Sequence, residues 1–383
     1  MNVLFVSHVS NKLGAARSLL DLLVGLKAKN VTPYVVLPGS GPIEAELERH
    51  TIPYRIIPMR SWASRRRSVI KWLGRNALNI FAAFRLKRCI RVWGIDIVYT
   101  NSSVVPSGAF AALLAHKPHI WHIREFGEED YGLSFDWGAR RTRLTVHRLS
   151  NRIVLISHAL ATKYRRLVPS SKFRVIYDAV HLPGHISTQS APIGKRGEGS
   201  LKMAIVGLIH PGKGQMDAIL AVAELVRQGR DVTLDVVGDG QRAYLSQLKE
   251  AVDLYELNDR VIFTGYIDNP YMNMMKNDVI LVCSRSEALG RVTIEANLLA
   301  RPVIGARSGA TAELVKDGFN GLLYEPGDHH DLARQIADLM DGKFEISKMG
   351  KNGKEWAQRQ FSIERCSDEV YQALSEVYSS VYS

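Results

Sequence analysis

Cysteine is scarce. Cys89, Cys283 and Cys366 are the only three in 383 residues. Odd in number, far apart and without metal-ligand spacing, they argue against a disulfide framework or a thiolate metal site, and a reducing cytoplasm is the simplest setting for them. No apolar run reaches the ~18 residues of a bilayer span; the longest candidates lie around Val104 to Ala115 and Ala77 to Phe84. The opening MNVLFVSHVS has neither a basic leader nor a small-residue cleavage site and reads as a first strand. The chain also lacks a nucleic-acid motif and a basic low-complexity tail, so its net charge of +12 does not point to a nucleic-acid partner.

Acidic residues are missing from two stretches, Arg60 to Arg91 and Arg140 to Arg174, each of which carries ten basic residues. Residues 1–182 hold 28 Lys and Arg against 11 Asp and Glu, whereas the remainder holds 22 against 27. Such a one-sided field attracts anionic surfaces or substrates, and an anionic membrane face fits it best, which implies a peripheral position on the inner side of a membrane. Within the first stretch Ile70, Leu73, Ala77, Ile80, Phe81 and Phe84 recur at helical spacing, with Trp72 and Trp93 near the ends. The expectation for this stripe is a core-facing helix whose basic back is solvated and available to the membrane.

What is present is an ordinary globular composition, 46% apolar and 23% charged, in a chain longer than one core usually serves. Short β-branched runs alternate with helical patterns: NVLFVSH, YVVLP, YRIIP, DIVYTNS, HIWHI, RIVLIS and FRVIY, then KMAIVGL, DVTLDVVG, RVIFTGY, DVILVCS, RPVIGA and GLLYE. Between the two series lies HLPGHISTQSAPIGKRGEGS, rich in Gly, Pro and Ser, which reads as a linker. Helices are expected at Leu19 to Lys27, Ser107 to Ala115, Ala139 to Leu149, Met216 to Gln228, Arg242 to Leu254 and Thr293 to Ala300. The pattern predicts an α/β protein of two Rossmann-like domains with parallel sheets facing across a cleft, residues 1–182 and 183–363, and a terminal helix in 364–383 that packs back on the first domain.

The chemistry concentrates in a few loops. VGLIHPGKGQMDAILAVAEL sets Gly207, Gly212 and Gly214 after a strand and before a helix, where backbone amides favour a phosphate, and Lys213 adds a point charge. The spacing fails the P-loop pattern, and no GxGxxG follows the first strand; Gly14 and Ala15 stand at the corresponding turn. Further on, Glu287 and Glu295 stand eight positions apart in SRSEALGRVTIEANLLA. If the residues between were wholly helical the two would be ~12 Å apart at most, a reach that suits a sugar nucleotide. The small residues Ala288, Leu289 and Gly290 lead into a helix, so the amides of Leu289 to Val292, including Arg291, can meet a diphosphate. Taken singly, either glutamate is more often an ordinary surface or first-turn contact, and Lys213 an ordinary solvated lysine. His329 and His330 in their polar turn read as helix-start residues rather than metal ligands, and Asp239 as a turn residue.

Together these segments resemble family four of the retaining glycosyltransferases, a GT-B family. The resemblance rests on the glutamate pair, EANLLA, RPVI, Ser308-Gly309-Ala310 with Glu313, and DGFNGLLYEPGD as a hairpin. It extends through VVGDG, DRVIFTGYID, VGLIHPGKG and FSIERCSDEVYQALSEVY, and more loosely through LGAARSLLDLL, DIVYTNS, RIVLISHALATKY and VIYDAV. It covers most of the chain, most densely after about Met203.

The resemblance implies a nucleoside diphosphate sugar as donor substrate, with no cofactor and no metal, since an Asp-x-Asp motif is absent. Glu287 would bond the transferred sugar, Glu295 the ribose and Lys213 the diphosphate, with Gly207, Gly14, Ala15 and the 288–292 amides around them and Tyr266 framing the base. On the acceptor side it points to Asn101, His122, Arg124 and Glu125. At the end of HIWHIREF, alignment from Pro118 selects Arg124 for the catalytic position and residue type selects His122; Arg124 with Glu125 is the choice taken. The acceptor is expected to be a glycan or lipid-linked sugar of a lipopolysaccharide, exopolysaccharide or other cell-surface polymer. The chain departs from the family at Leu208, where an Arg is usual, and at Leu13 and Ala16 in the first glycine loop. The Leu208 departure keeps a non-catalytic sugar-nucleotide or glycan-binding subunit open as an alternative, and a GT-B sugar-nucleotide epimerase is another.

Overall fold

The computed structural model describes residues 1–11, 14–64, 69–127, 129, 132–166, 168–183, 186 and 199–382. Leu13 and most of the expected linker lie outside the described residues. The chain divides into two compact units, one formed by Met1–Ala179 with Ser362–Ser383, the other by Val180–Phe361.

The first unit contains strands β1 (Asn2–Ser7), β2 (Thr32–Leu37), β3 (Tyr54–Ile56), β4 (Ala63–Ser64), β5 (Ile97–Asn101), β6 (His119–Ile123), β7 (Ser134–Phe135), β8 (Arg152–Leu155) and β9 (Phe173–Val175). Seven of them form a parallel sheet in the order β3-β2-β1-β5-β6-β8-β9, while β4 and β7 make a small antiparallel ribbon. β5 and β6 are buried at every position, as expected for parallel strands covered on both faces. The helix Ile363–Tyr382 joins this unit's core through Cys366, Val370, Ala373, Leu374 and Val377 beside Leu19, Leu22 and Leu26.

The second unit contains β10 (Ser200–Val206), β11 (Asp231–Val237), β12 (Val261–Gly265), β13 (Val279–Val282), β14 (Val303–Ala306) and β15 (Gly321–Tyr324), all parallel, in the order β12-β11-β10-β13-β14-β15. Strand order reverses between β1 and β5 in one sheet and between β10 and β13 in the other. In open parallel sheets ligands bind beyond the carboxyl ends of the strands at such switch points.

Three expectations are corrected here. DGFNGLLYEPGD is not a hairpin. Gly318 N bonds Gly321 O at 2.9 Å to close a tight turn, and β15 then extends the sheet in parallel beside β14. The apolar stripe from Ile70 to Phe84 does not face the core. It lies outward on the helix Val69–Val92, with Ile70, Leu73, Ile80, Phe81 and Phe84 all exposed. The opposite face, with Asn79, Ala82, Ala83, Leu86, Cys89 and Ile90, is buried and the helix packs against Ser107–Leu114. Small side chains on both helices let them approach closely, and Asn79 bonds both Arg60 N and Arg60 O at 2.9 Å, so close packing rather than side-chain bulk selects the inward face. The helix expected at Thr293 to Ala300 runs instead over Arg291–Leu298, because Gly290 starts it in the left-handed region at φ 79°.

Candidate functional site

The loops after β10 and β13 meet at the second unit's switch point. After β10 the chain passes Leu208, which is 51% exposed, and enters the short helix Pro211–Lys213 capped by His210, whose Nδ1 accepts from Gly212 N at 3.0 Å. Gly214 turns the chain into Gln215–Arg227 at φ 69°, with its α-carbon against the carbonyl of Cys283. A side chain there would meet that carbonyl, so a glycine is required. Arg285 N donates to Gly212 O at 2.9 Å and stitches the two loops together.

On this frame Lys213 Nζ lies 2.6 Å from Glu287 Oε1, and Ser284 Oγ donates to the same oxygen at 2.6 Å. The backbone of Glu287 is held as well, its carbonyl accepting from Ala310 N at 2.8 Å. Ser308 Oγ donates to Ser284 O at 2.8 Å from the adjoining loop. The lysine side chain retains 35% of its exposure and the carboxylate 16%, so both can be reached from solvent. An ammonium has three donors and one serves Glu287; a phosphate can take the others.

The following loop places Ala288 and Leu289 in buried positions before Gly290. No side chain caps the helix Arg291–Leu298, leaving its first amides as the natural contact for an anion. Glu295 is buried inside that helix; Tyr271 OH lies 3.4 Å from its Oε1 and Arg291 Nε 3.6 Å from the same atom. Arg291 thus leans on Glu295, and the position of the family's usual arginine is filled by an exposed leucine. Gly207 follows β10 at φ 146°, its N bonded to Val237 O. Tyr266 is exposed and donates to Asp268 Oδ1 at 2.9 Å, while Asp239 accepts from the next amide, Gly240 N, in a turn.

In the first unit Gly14 and Ala15 open the helix Gly14–Lys27. The acceptor-side candidates gather at the ends of β5 and β6, but deeply. Arg124 Nε donates to Asn101 Oδ1 at 2.6 Å and its Nη1 pairs with Asp178; Arg, Asn and Asp are all buried. Arg124 Nη2 and Tyr99 OH lie 3.3 and 2.8 Å from His122 Nδ1. Because a guanidinium only donates, Nδ1 is the acceptor and the ring proton sits on Nε2, which lies 3.8 Å from Asp178 Oδ1. Burial, then the Arg124 charge, push the His122 pKa well below its ordinary value, so the imidazole is neutral. Glu125 Oε1 receives Ser102 Oγ, Ser103 N and Ser103 Oγ at 2.8, 2.6 and 2.5 Å. His8, at the end of β1, lies with Nδ1 3.1 Å from Asn101 O.

Sequence reasoning missed Ser284 and Asp178, and gave Ser308 as a turn residue without a role in the site. The two serines sit just past strand ends, where polar side chains flank a switch point; Asp178 carries no such signal. Among the described residues one group has metal-ligand proximity, Glu224, His329 and His330, with His330 Nδ1 2.6 Å from Glu224 Oε2. It joins the helices Gln215–Arg227 and His329–Met340 and includes none of the residues of the Lys213 and Glu287 cluster.

Residues 188–356 match the family described as Glycosyl transferases group 1, and residues 13–182 match Glycosyltransferase Family 4. Over 184 residues the chain is 34% identical to the 2-deoxystreptamine glucosyltransferase of Streptomyces kanamyceticus, a stretch that spans about half of each protein, 47% of both. It is 29% identical over 235 residues to the lipopolysaccharide core biosynthesis glycosyltransferase LpsE of Rhizobium meliloti, covering 61% of this chain and 67% of that one. Among solved structures, Anabaena Alr3699/HepE in complex with UDP superposes with a TM-score of 0.77 at 21% identity, over 98% of this chain and 100% of that one. With its two parallel α/β sheets of GT-B type, the chain belongs to family four of the glycosyltransferases, the glycosyl transferases group 1.

Proposed function

We propose that this chain moves a sugar from a nucleoside diphosphate sugar to an acceptor hydroxyl, with retention of configuration and without a metal. The observation that carries the reading is the Lys213, Glu287 and Ser284 cluster at the β10/β13 switch point, beside an uncapped helix start. In this reading the amides of Leu289 to Val292 take the diphosphate, Glu295 the ribose and Glu287 the sugar hydroxyls. Lys213 exchanges its bond to Glu287 for the phosphate oxygens as the sugar C1–O bond breaks. Charge on the leaving group is thereby met by a cation already in place. The acceptor oxygen bonds C1 on the face that the diphosphate leaves, and its proton passes to the diphosphate; no protein nucleophile takes part. Arg124, Asn101, His122 and Glu125 belong to a buried framework on the acceptor side, and Gly14 and Ala15 open the first helix of the same unit.

The name of LpsE and the basic first unit favour a cell-surface glycan or lipid-linked acceptor, met by a cytoplasmic protein at an anionic membrane face. HepE binds UDP, so a UDP sugar is the first donor to test in a calorimetric panel with GDP, ADP and CMP sugars. Lys213→Ala and Glu287→Ala are expected to cut transfer by ~10²-fold or more and to leave the fold intact; full turnover by both variants would remove this assignment. Leu208 favours a second reading, a non-catalytic subunit that binds donor and never turns it over. Slow donor hydrolysis by the wild-type chain, absent in Lys213→Ala, excludes that reading.

A further inference from the structure

The helix Val69–Val92 carries a surface that the donor and acceptor sites do not use. At 100° per residue, Ile70, Leu73, Ala77, Ile80, Phe81 and Phe84 fall within an arc of about 100° and run ~21 Å along the axis. Ile70 is 83% exposed, Phe81 60%, and Leu73 and Phe84 56% each. The same line continues toward the C-terminal end with Arg88 and Arg91, flanked by Arg85; all three are exposed and form no ion pair among the described residues. Asn79, Ala82, Ala83, Leu86, Cys89 and Ile90 are buried on the other side, so the helix is held lengthwise with its apolar stripe outward. Among the described residues no helix is long and apolar enough to cross a membrane.

We propose that this stripe is an interfacial anchor that enters the boundary between headgroups and acyl chains of an anionic bilayer while Arg85, Arg88 and Arg91 pair with lipid phosphates. The inference rests on the anionic-surface part of the proposed function and is independent of the donor site. Charge complementarity selects the occupant. From Arg60 to Arg91 there are ten basic residues and no acidic one, so a second copy of this helix would be repelled. A nucleic acid would use the arginines but leave Ile70, Leu73, Phe81 and Phe84 in water. An anionic lipid surface alone takes up both, since basic residues are attracted to its headgroups and large apolar residues partition beneath them.

The test is flotation of the full chain with phosphatidylcholine vesicles and with vesicles containing phosphatidylglycerol, at low and high salt. The wild-type chain is expected to float with the anionic vesicles, and Leu73→Glu/Phe81→Glu/Phe84→Glu to lose ~tenfold or more of that partition with unchanged circular dichroism and donor hydrolysis. Should that variant misfold, Phe81→Trp retains the stripe, and its emission is expected to shift blue on anionic vesicles and to be quenched by brominated acyl chains. Equal flotation of wild type and triple variant, fully reversed by salt, overturns the anchor and keeps the charge reading. No flotation of the wild type overturns both. A dimer split by the triple variant, without vesicle binding, reassigns the stripe to a contact between copies. Lys213→Ala is expected to float like the wild type, so loss of transfer and loss of membrane binding are read separately.

Discussion

Both units end their central strands in charged clusters, and the two clusters differ in what holds them. In the second unit Lys213 and Glu287 pair in a partly open position, where one lysine bond can be exchanged for a ligand oxygen. In the first, Arg124 is closed in by Asp178, Asn101 and His122, and Glu125 by three donors from Ser102 and Ser103. A group that must bind and release a substrate keeps bonds it can trade; a buried network of paired charges holds a backbone in place. In the proposed reading, charged side chains therefore serve as a binding device in one unit and as a strut in the other.

Removing a strut costs stability, and the largest effect is expected there. Asp178→Ala leaves the Arg124 guanidinium buried with its main counter-charge gone, a loss of ~3–5 kcal/mol for a broken buried pair. Urea unfolding followed by tryptophan emission reads it well, because Trp62, Trp72, Trp93, Trp121 and Trp137 lie in the first unit and only Trp356 in the second. A loss below about 1 kcal/mol would show that the network is not a strut. Lys213→Ala is expected to do the reverse, with stability within ~1 kcal/mol of wild type because the pair is part-exposed, and a turnover loss of ~10²–10³-fold. The loss should fall on kcat more than on KM, since the cation meets charge that develops as the bond breaks.

How far the sequence foretold this follows the same division. Strands were legible because parallel strands buried on both sides read as unbroken apolar runs, as VILV and VLFV do. Glu287, Lys213 and Gly290 were legible because glycine and charge sit together at strand-to-helix turns. Partners were not: Lys213 and Glu287 are 74 positions apart, and Arg124 and Asp178 are 54. Nothing local announces such a pair. The direction of the Ile70 to Phe84 stripe was not legible either, since periodicity marks a stripe without saying whether bulk or close approach wins the core. Ala82, Ala83 and Asn79 decided it.

Acid should separate the two units by a smaller amount. His119 and His122 are buried and their pKa values depressed, that of His119 to about 3, first by desolvation. The unfolded chain binds these protons below its ordinary value of ~6.5 and the folded chain does not, so stability is full above that value and is lost as pH falls below it. His119 alone takes away ~2 kcal/mol between pH 7 and pH 5. In the second unit burial raises the pKa of Asp217 above its ordinary carboxyl range. The folded form there holds its proton more tightly, and acid adds stability as pH falls through that folded value. Thermal unfolding at pH 7, 6 and 5, read by tryptophan emission, is expected to fall steeply, and His119→Gln to flatten the profile.

The smallest difference lies between two glycines. Gly309 has φ 49°, and a side chain there would stand 2.5 Å from Glu287 O and 2.7 Å from Glu287 N. Gly309→Ala combines the left-handed cost of ~1–2 kcal/mol with a push on the backbone that presents Glu287, and the Ala310 N bond to Glu287 O is strained with it. Gly14, at the start of the first unit's helix, meets nothing within 4 Å and needs no positive φ. Gly14→Ala is therefore expected to leave stability unchanged or raise it by a few tenths of a kcal/mol, through the less flexible unfolded chain. Comparing the two alanine variants in urea and in donor titration isolates the Glu287 loop: Gly309→Ala should weaken donor binding along with stability. If stability falls while donor affinity stays at the wild-type value, the position of Glu287 does not govern donor recognition, and the sugar contact belongs to another residue of the second unit.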